Sequence, residues 1–190
     1  MNPDKRKEPL MRTTILLAFV LNAFAVSGCA AVSSIEPVGE RPKELIVDQW
    51  DGTWIHRNEA VTIKVLDMQK GLLRVAWVEE QNGIFKLESR DVELRESGEW
   101  IFGNVVEKHE PASYYWGLVQ KDEGQIAVWL PDPAQFAKLV QTGSLPGKLE
   151  KENKVILEKL APEQLKALFS GDKGFFLDWK RPVVFFRVGK

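Results

Sequence analysis

The chain has 190 residues, one cysteine and two histidines, and its 26 basic side chains nearly balance 27 acidic ones. That balance gives no global electrostatic reason to expect a nucleic-acid partner, which normally demands a basic face. One cysteine excludes an internal disulfide, a four-cysteine zinc site and a cysteine-held iron–sulfur cluster, and no motif calls for a cofactor.

The N-terminal region reads as an address. Ile15 to Val26 is an apolar run of 12 residues, broken only by Asn22. A spanning helix needs about 18 to 25 apolar residues, so the run suits the centre of a secretory signal peptide instead. It ends in Val26-Ser27-Gly28-Cys29, which resembles the lipobox of bacterial lipoproteins. The resemblance implies a signal peptide over 1–28, cleavage before Cys29 and lipidation of the Cys29 sulfur. Several acyl chains anchor durably, because each buried methylene contributes about 0.8 kcal/mol. The plainer alternative is an unprocessed cysteine buried in an apolar helix. Ala30, rather than an aspartate, follows the cysteine; within that family this implies an outer-membrane location facing the periplasm. Asp4, Glu8 and two prolines precede Met11, so Met11 is expected as the start in place of Met1.

Residues 1–28 hold four of the basic and two of the acidic side chains, leaving 22 against 25 in the 162 residues from Cys29. That length buries a substantial core without disulfides. Residues 29–44 are small, polar and proline-bearing, and are expected to form the lipidated cysteine and a flexible tether. A single mainly-β domain is expected over 45–190.

Within that domain, Val61, Ile63 and Val65 alternate with polar residues, as do Leu73, Val75 and Trp77, and then Phe85 and Leu87. Period two gives strands with one buried face each. The phase slips at Val92 and Leu94, which predicts a bulge or turn at Ser89-Arg90-Asp91. Further strands are predicted over 100–106, 114–120 and 125–130. Glycines at 71, 83, 98 and 124 close the intervening turns, as an antiparallel meander requires. Asp132-Pro133 opens a helix with Phe136, Leu139 and Val140 on one face, and Gly143 stops it. A strand over 155–160 follows. Pro162 opens a second helix carrying Leu165, Leu168 and Phe169. Strands over 175–179 and 183–188 close the chain. Eight or nine strands with two short C-terminal helices predict a small antiparallel barrel, helices covering an end or a side.

Gly52-Thr53-Trp54 opens the sheet region and resembles the Gly-x-Trp signature of lipocalins, which implies a tryptophan closing one barrel end under a basic residue near the last strand. Arg187 is in the corresponding place, where a cation–π contact would hold it. Residues 114–188 also resemble a pattern of uncharacterised small bacterial lipoproteins. There a strand like Gln125 to Pro131 precedes a helix and glycine like Leu139 to Gly143. A second strand and helix follow, like Val155 to Phe169. That resemblance implies fold and location and brings no activity.

Trp54, Trp77, Trp100, Trp116 and Trp129 are the candidate site residues. They either line an apolar ligand pocket, with Phe102, Tyr115 and Phe175, or fill a core. His56 and His109 lie on separate segments and read as surface histidines. Glu79-Glu80 and Asp48/Asp51 offer carboxylates without a visible catalytic arrangement. The alternating charges of Lys148 to Lys159 give a solvated face or a partner surface. No nucleophile elbow, phosphate loop or His-Glu-x-x-His motif is present. The expectation is a lipid-anchored envelope protein, non-catalytic, with an envelope protein as partner. The alternatives are a carrier of a small apolar ligand and, with little support, an envelope hydrolase.

Overall fold

The computed structural model describes residues 31–107, 113–150, 154–170 and 182–189. In chain order the strands are β1 (Val32–Ser34), β2 (Arg41–Pro42), β3 (Gly52–His56), β4 (Glu59–Asp67), β5 (Leu72–Gln81), β6 (Ile84–Ser97), β7 (Trp100–Glu107), β8 (Ser113–Lys121), β9 (Gln125–Trp129), β10 (Gly147–Leu149), β11 (Val155–Leu157) and β12 (Val183–Arg187). The helices are α1 (Val47–Trp50), α2 (Pro133–Gln141) and α3 (Pro162–Ser170).

Eight of these strands form a closed antiparallel barrel. The meander β3 to β9 pairs neighbour with neighbour, and β12 inserts between β9 and β3 to complete the ring. Closure removes the edges that an open sheet of this length would expose. β1 pairs with β8 over Ser33–Tyr115 and Ser34–Tyr114, and lies parallel to β11, so β1, β11 and β10 branch from the barrel wall.

The segment expected as a tether is thus built into the sheet. Val32, Ser33 and Ser34 are all buried, and Val38 is buried beyond them. Asn104 accepts from the Val38 amide through Oδ1 (2.7 Å) and donates from Nδ2 to the Val38 carbonyl (3.0 Å). This pair fixes the segment's backbone groups in a site that water does not reach. The predicted strand over 175–179, His109 and Cys29 lie outside the described residues.

The barrel separates two apolar layers. Trp54, Val61, Ile63, Leu73, Trp77, Leu94, Val119 and Ile126 fill the inside, with Leu45 and Trp50 from the α1 region. A second core lies on the outer wall. There Phe102, Trp116, Leu118 and Trp129 meet Phe136 of α2, Leu165, Leu168 and Phe169 of α3, and Val155 and Leu157 of β11. The two predicted helices form where expected. Asp132 Oδ1 accepts from the Ala134 amide at 2.8 Å and caps α2, with Pro133 in its first turn. Gln164 Oε1 accepts from the Ala161 amide at 2.8 Å at the start of α3, which satisfies a backbone donor there.

Candidate functional site

One end of the barrel is sealed from the sequence upward. Gly52 adopts φ +143 and leaves room for the Arg187 guanidinium, whose Nε and Nη2 would sit 3.5 Å from any Cβ added there. Trp54 is fully buried and donates from Nε1 to the Trp50 carbonyl at 3.0 Å. Arg187 stands over the Trp54 ring, 5.5 Å from its centroid, and donates from Nη2 to the Asp51 carbonyl at 2.5 Å. The basic residue over the tryptophan, implied by the Gly-x-Trp resemblance, is therefore present. Asp51 also accepts from Lys64 Nζ and from the Val65 amide. Burial pushes the Asp51 carboxyl up, but these bonds and the Lys64 and Arg187 charges outweigh it and hold the group below its ordinary value.

Among the inward-facing side chains lies a partly open apolar cavity of about 130 Å³. Trp50, Ile63, Leu73, Val92, Val119 and Phe185 are among its walls. An eight-stranded barrel has an interior that side chains fill, or that holds one small ligand. Here ten buried hydrophobic side chains pack into it and leave this space. The space is close to that of a dry cavity able to take benzene, and below the roughly 300–1,000 Å³ of ordinary ligand sites.

A polar cluster borders the cavity through Tyr115, which is one of its lining residues. Glu107 accepts from Ser113 Oγ, from Tyr115 OH at 2.8 Å and from Lys154 Nζ at 3.2 Å. Burial raises the Glu107 carboxyl, yet the three donors and the Lys154 charge together carry it below the ordinary glutamate value. Burial and the adjoining Glu107 push the Tyr115 phenol up, so it stays protonated. Every member has a partner, which is the arrangement of a structural brace. A depression of about 580 Å³ on the outer surface is lined by Glu36, Arg95 and Lys159 among others. Both of its cationic side chains are paired. Arg95 pairs with Glu93 at 2.7 Å, and Lys159 with Glu36 at 2.9 Å.

The five candidate tryptophans do not come together. Trp54 and Trp77 point into the barrel, while Trp100, Trp116 and Trp129 belong to the outer layer. Trp116 alone of the five contributes to the cavity wall, and Trp50 joins it there. Trp116 packs edge-on against Phe102, Phe136 and Phe169, so it is chiefly a core residue. His56 is anchored by a 2.8 Å hydrogen bond between Nδ1 and the Val184 carbonyl. The Lys148–Lys159 run contributes buried Val155, Ile156 and Leu157 as well as charges.

Sequence periodicity misplaced one face. The pairing of β5 with β6 runs unbroken from Leu72–Glu93 to Gln81–Ile84, with no bulge at 89–91. The even residues Val92 and Leu94 continue the inward row, so odd Phe85 and Leu87 point outward beside Val78. All three are exposed: Val78 by 62%, Phe85 by 72% and Leu87 by 76%. β4 pairs with β5 only up to Trp77, and β7 pairs with β6 only from Val92. Among the described residues, 78–91 therefore form a two-stranded ribbon that leaves the barrel. Asn82 (φ 55) and Gly83 (φ 77) make its two-residue turn, the geometry that matches strand twist.

No family model matches this chain, and neither a curated protein nor a solved structure does.

Proposed function

We propose that the chain is a lipid-anchored envelope protein whose barrel is a non-catalytic interaction module. The observation that carries this reading is the β5–β6 ribbon. It presents Val78, Phe85 and Leu87 to solvent, and clustered exposed apolar side chains mark contact surfaces. The anchoring half rests on the apolar run and on Val26-Ser27-Gly28-Cys29. Cys29 precedes the first strand residue, Val32, by three positions. Three residues span about 10 Å at most, so an anchored barrel works close to the bilayer rather than on a long leash.

The test has two parts. Cys29→Ser moves the chain from the membrane to the soluble fraction. Leu87→Asp leaves the melting temperature within about 2 °C of the parent, since surface changes cost little, and abolishes photo-crosslinking from position 85 in intact envelopes. Membrane retention of the Cys29 variant, or crosslinking indifferent to Leu87→Asp, contradicts the reading.

A second reading has its own observation, the cavity of about 130 Å³. It would hold one small apolar molecule on the scale of benzene. Saturable benzene binding lost on filling the cavity with Val119→Phe supports that reading, and no binding by the parent removes it.

A further inference from the structure

We propose that the ribbon pairs with the same ribbon of a second copy of this chain, joining two barrels through an antiparallel β6–β6 contact. This inference rests on the reading of the ribbon as an interaction surface, and names its partner.

The first support is an open edge. β6 is hydrogen-bonded to β5 along 84–93, and its other side meets β7 only from Val92 onward. Among the described residues, the 84–91 stretch on that side has no strand beside it. An edge of this length offers a row of unpaired backbone donors and acceptors, the template for strand addition.

The second support is self-complementarity. A two-fold axis through an antiparallel pair keeps each residue on its own face, so residue numbers in a pair must share parity. The edge reads Ile84-Phe85-Lys86-Leu87-Glu88-Ser89-Arg90-Asp91. Centring the axis on Leu87 sets Leu87 against Leu87, Lys86 against Glu88 on both sides of the axis, Phe85 against Ser89 and Ile84 against Arg90. This register uses nearly the whole open edge. It places two opposite-charge pairs and one apolar pair at the centre, each a favourable cross-strand combination. Moving the axis to Glu88 sets Lys86 against Arg90 twice. Moving it to Lys86 sets two ammonium groups face to face. Moving it to Ser89 sets Glu88 against Arg90 twice, but it also sets Leu87 against Asp91 and uses only 87–91 of the open edge. Charge, the apolar centre and edge length together favour the register centred on Leu87. Val78 lies opposite Leu87 on β5, so the outer face of the joined sheet carries a continuous apolar row through both copies.

The experiment uses the full chain, extracted in mild detergent, with two independent readouts. Leu87→Cys should form a disulfide-linked dimer on oxidation, because facing residues lie about 4.5–5.5 Å apart at Cα. Phe85→Cys should not, because its two copies are separated by roughly 13 Å along the strands. The parent chain, which retains Cys29, is the blank. In sedimentation, Lys86→Glu and Glu88→Lys should each weaken association by about tenfold, since each creates two like-charge contacts per dimer. The double variant should return it to within about threefold of the parent. Absence of the Leu87→Cys dimer, equal crosslinking from Phe85→Cys, or a double variant no better than the singles overturns the proposal. A chain that is monomeric throughout, yet loses envelope crosslinks on Leu87→Asp, overturns self-pairing and leaves the module reading standing.

Discussion

Gly103 and Gly117 face each other across β7 and β8, yet they should respond in opposite ways to the same added methyl group. A Cβ on Gly117 would stand 2.8 Å from the Trp129 carbonyl oxygen, with Leu130 Cδ2 at 3.3 Å and Val128 Cγ1 at 3.4 Å. The nearest atom is backbone, at the point where β8 takes β9 as its neighbour to close the ring. It cannot retreat without disturbing that junction. Overpacking of this kind costs about 1–3 kcal/mol, partly offset by roughly 0.5–1 kcal/mol from replacing a strand glycine. Gly117→Ala should therefore lose about 1–2 kcal/mol, or about 3–6 °C in melting temperature for a chain of this size. The three atoms nearest a Cβ on Gly103 are side-chain tips, Val119 Cγ2 at 3.2 Å and Leu94 Cδ2 and Val92 Cγ1 at 3.5 Å. Val119, Leu94 and Val92 all border the cavity and have space to yield. Gly103→Ala should be neutral or stabilising by up to about 1 kcal/mol. Urea unfolding followed by tryptophan fluorescence measures both. Equal destabilisation by the two variants, or a neutral Gly117→Ala, would refute the account of closure and cavity.

Arg187→Ala removes the hydrogen bond to the Asp51 carbonyl and the cation over Trp54. It should destabilise by about 1–3 kcal/mol, read as a lower urea midpoint with Trp54 fluorescence shifted to the red. Phe136→Ala empties a fully buried position between α2 and the barrel wall and should cost about 3–5 kcal/mol. The folded-state pKa of Glu107 lies below the ordinary glutamate value. Its contribution to stability is complete above that ordinary value and is lost as pH falls through the lowered one. Acid titration of the parent and of Glu107→Gln checks the sign. The parent should gain stability relative to the variant as pH rises out of the acid range, and parallel curves would contradict the shift.

Much of the fold was legible because one-sided strands announce themselves. Val61, Ile63 and Val65, then Leu73, Val75 and Trp77, alternate and form the inward rows of β4 and β5. The capped starts of α2 and α3 were equally readable, since Asp132 and the two prolines act locally. The misses have physical causes. β1 is three residues long, and what buries it is β11, about 120 positions later, a pairing no local pattern encodes. Phe85 and Leu87 alternate as a buried row would, but the ribbon carries them past the barrel with their face turned out. The partition of the tryptophans did leave a signal. Tyr114 to Val119 is continuously apolar or aromatic rather than alternating, the mark of a strand covered on both faces. Read that way, Trp116 and Leu118 belong to an outer layer under the helices and Val119 to the interior. Helix α1 has four residues and no side-chain cap, so it offered periodicity nothing to detect.

On the proposed reading, the protein acts through the β5–β6 ribbon and holds no lipid-sized molecule in its barrel. Native mass spectrometry of the full chain, gently extracted from envelope membranes, tests it most directly. The expected result is the mass of the polypeptide plus any group covalently attached at Cys29, singly or doubled in a dimer, with no further component. A reproducible non-covalent adduct of several hundred daltons would contradict it, because the apolar cavity of about 130 Å³ lies below the roughly 300–1,000 Å³ of ordinary ligand sites.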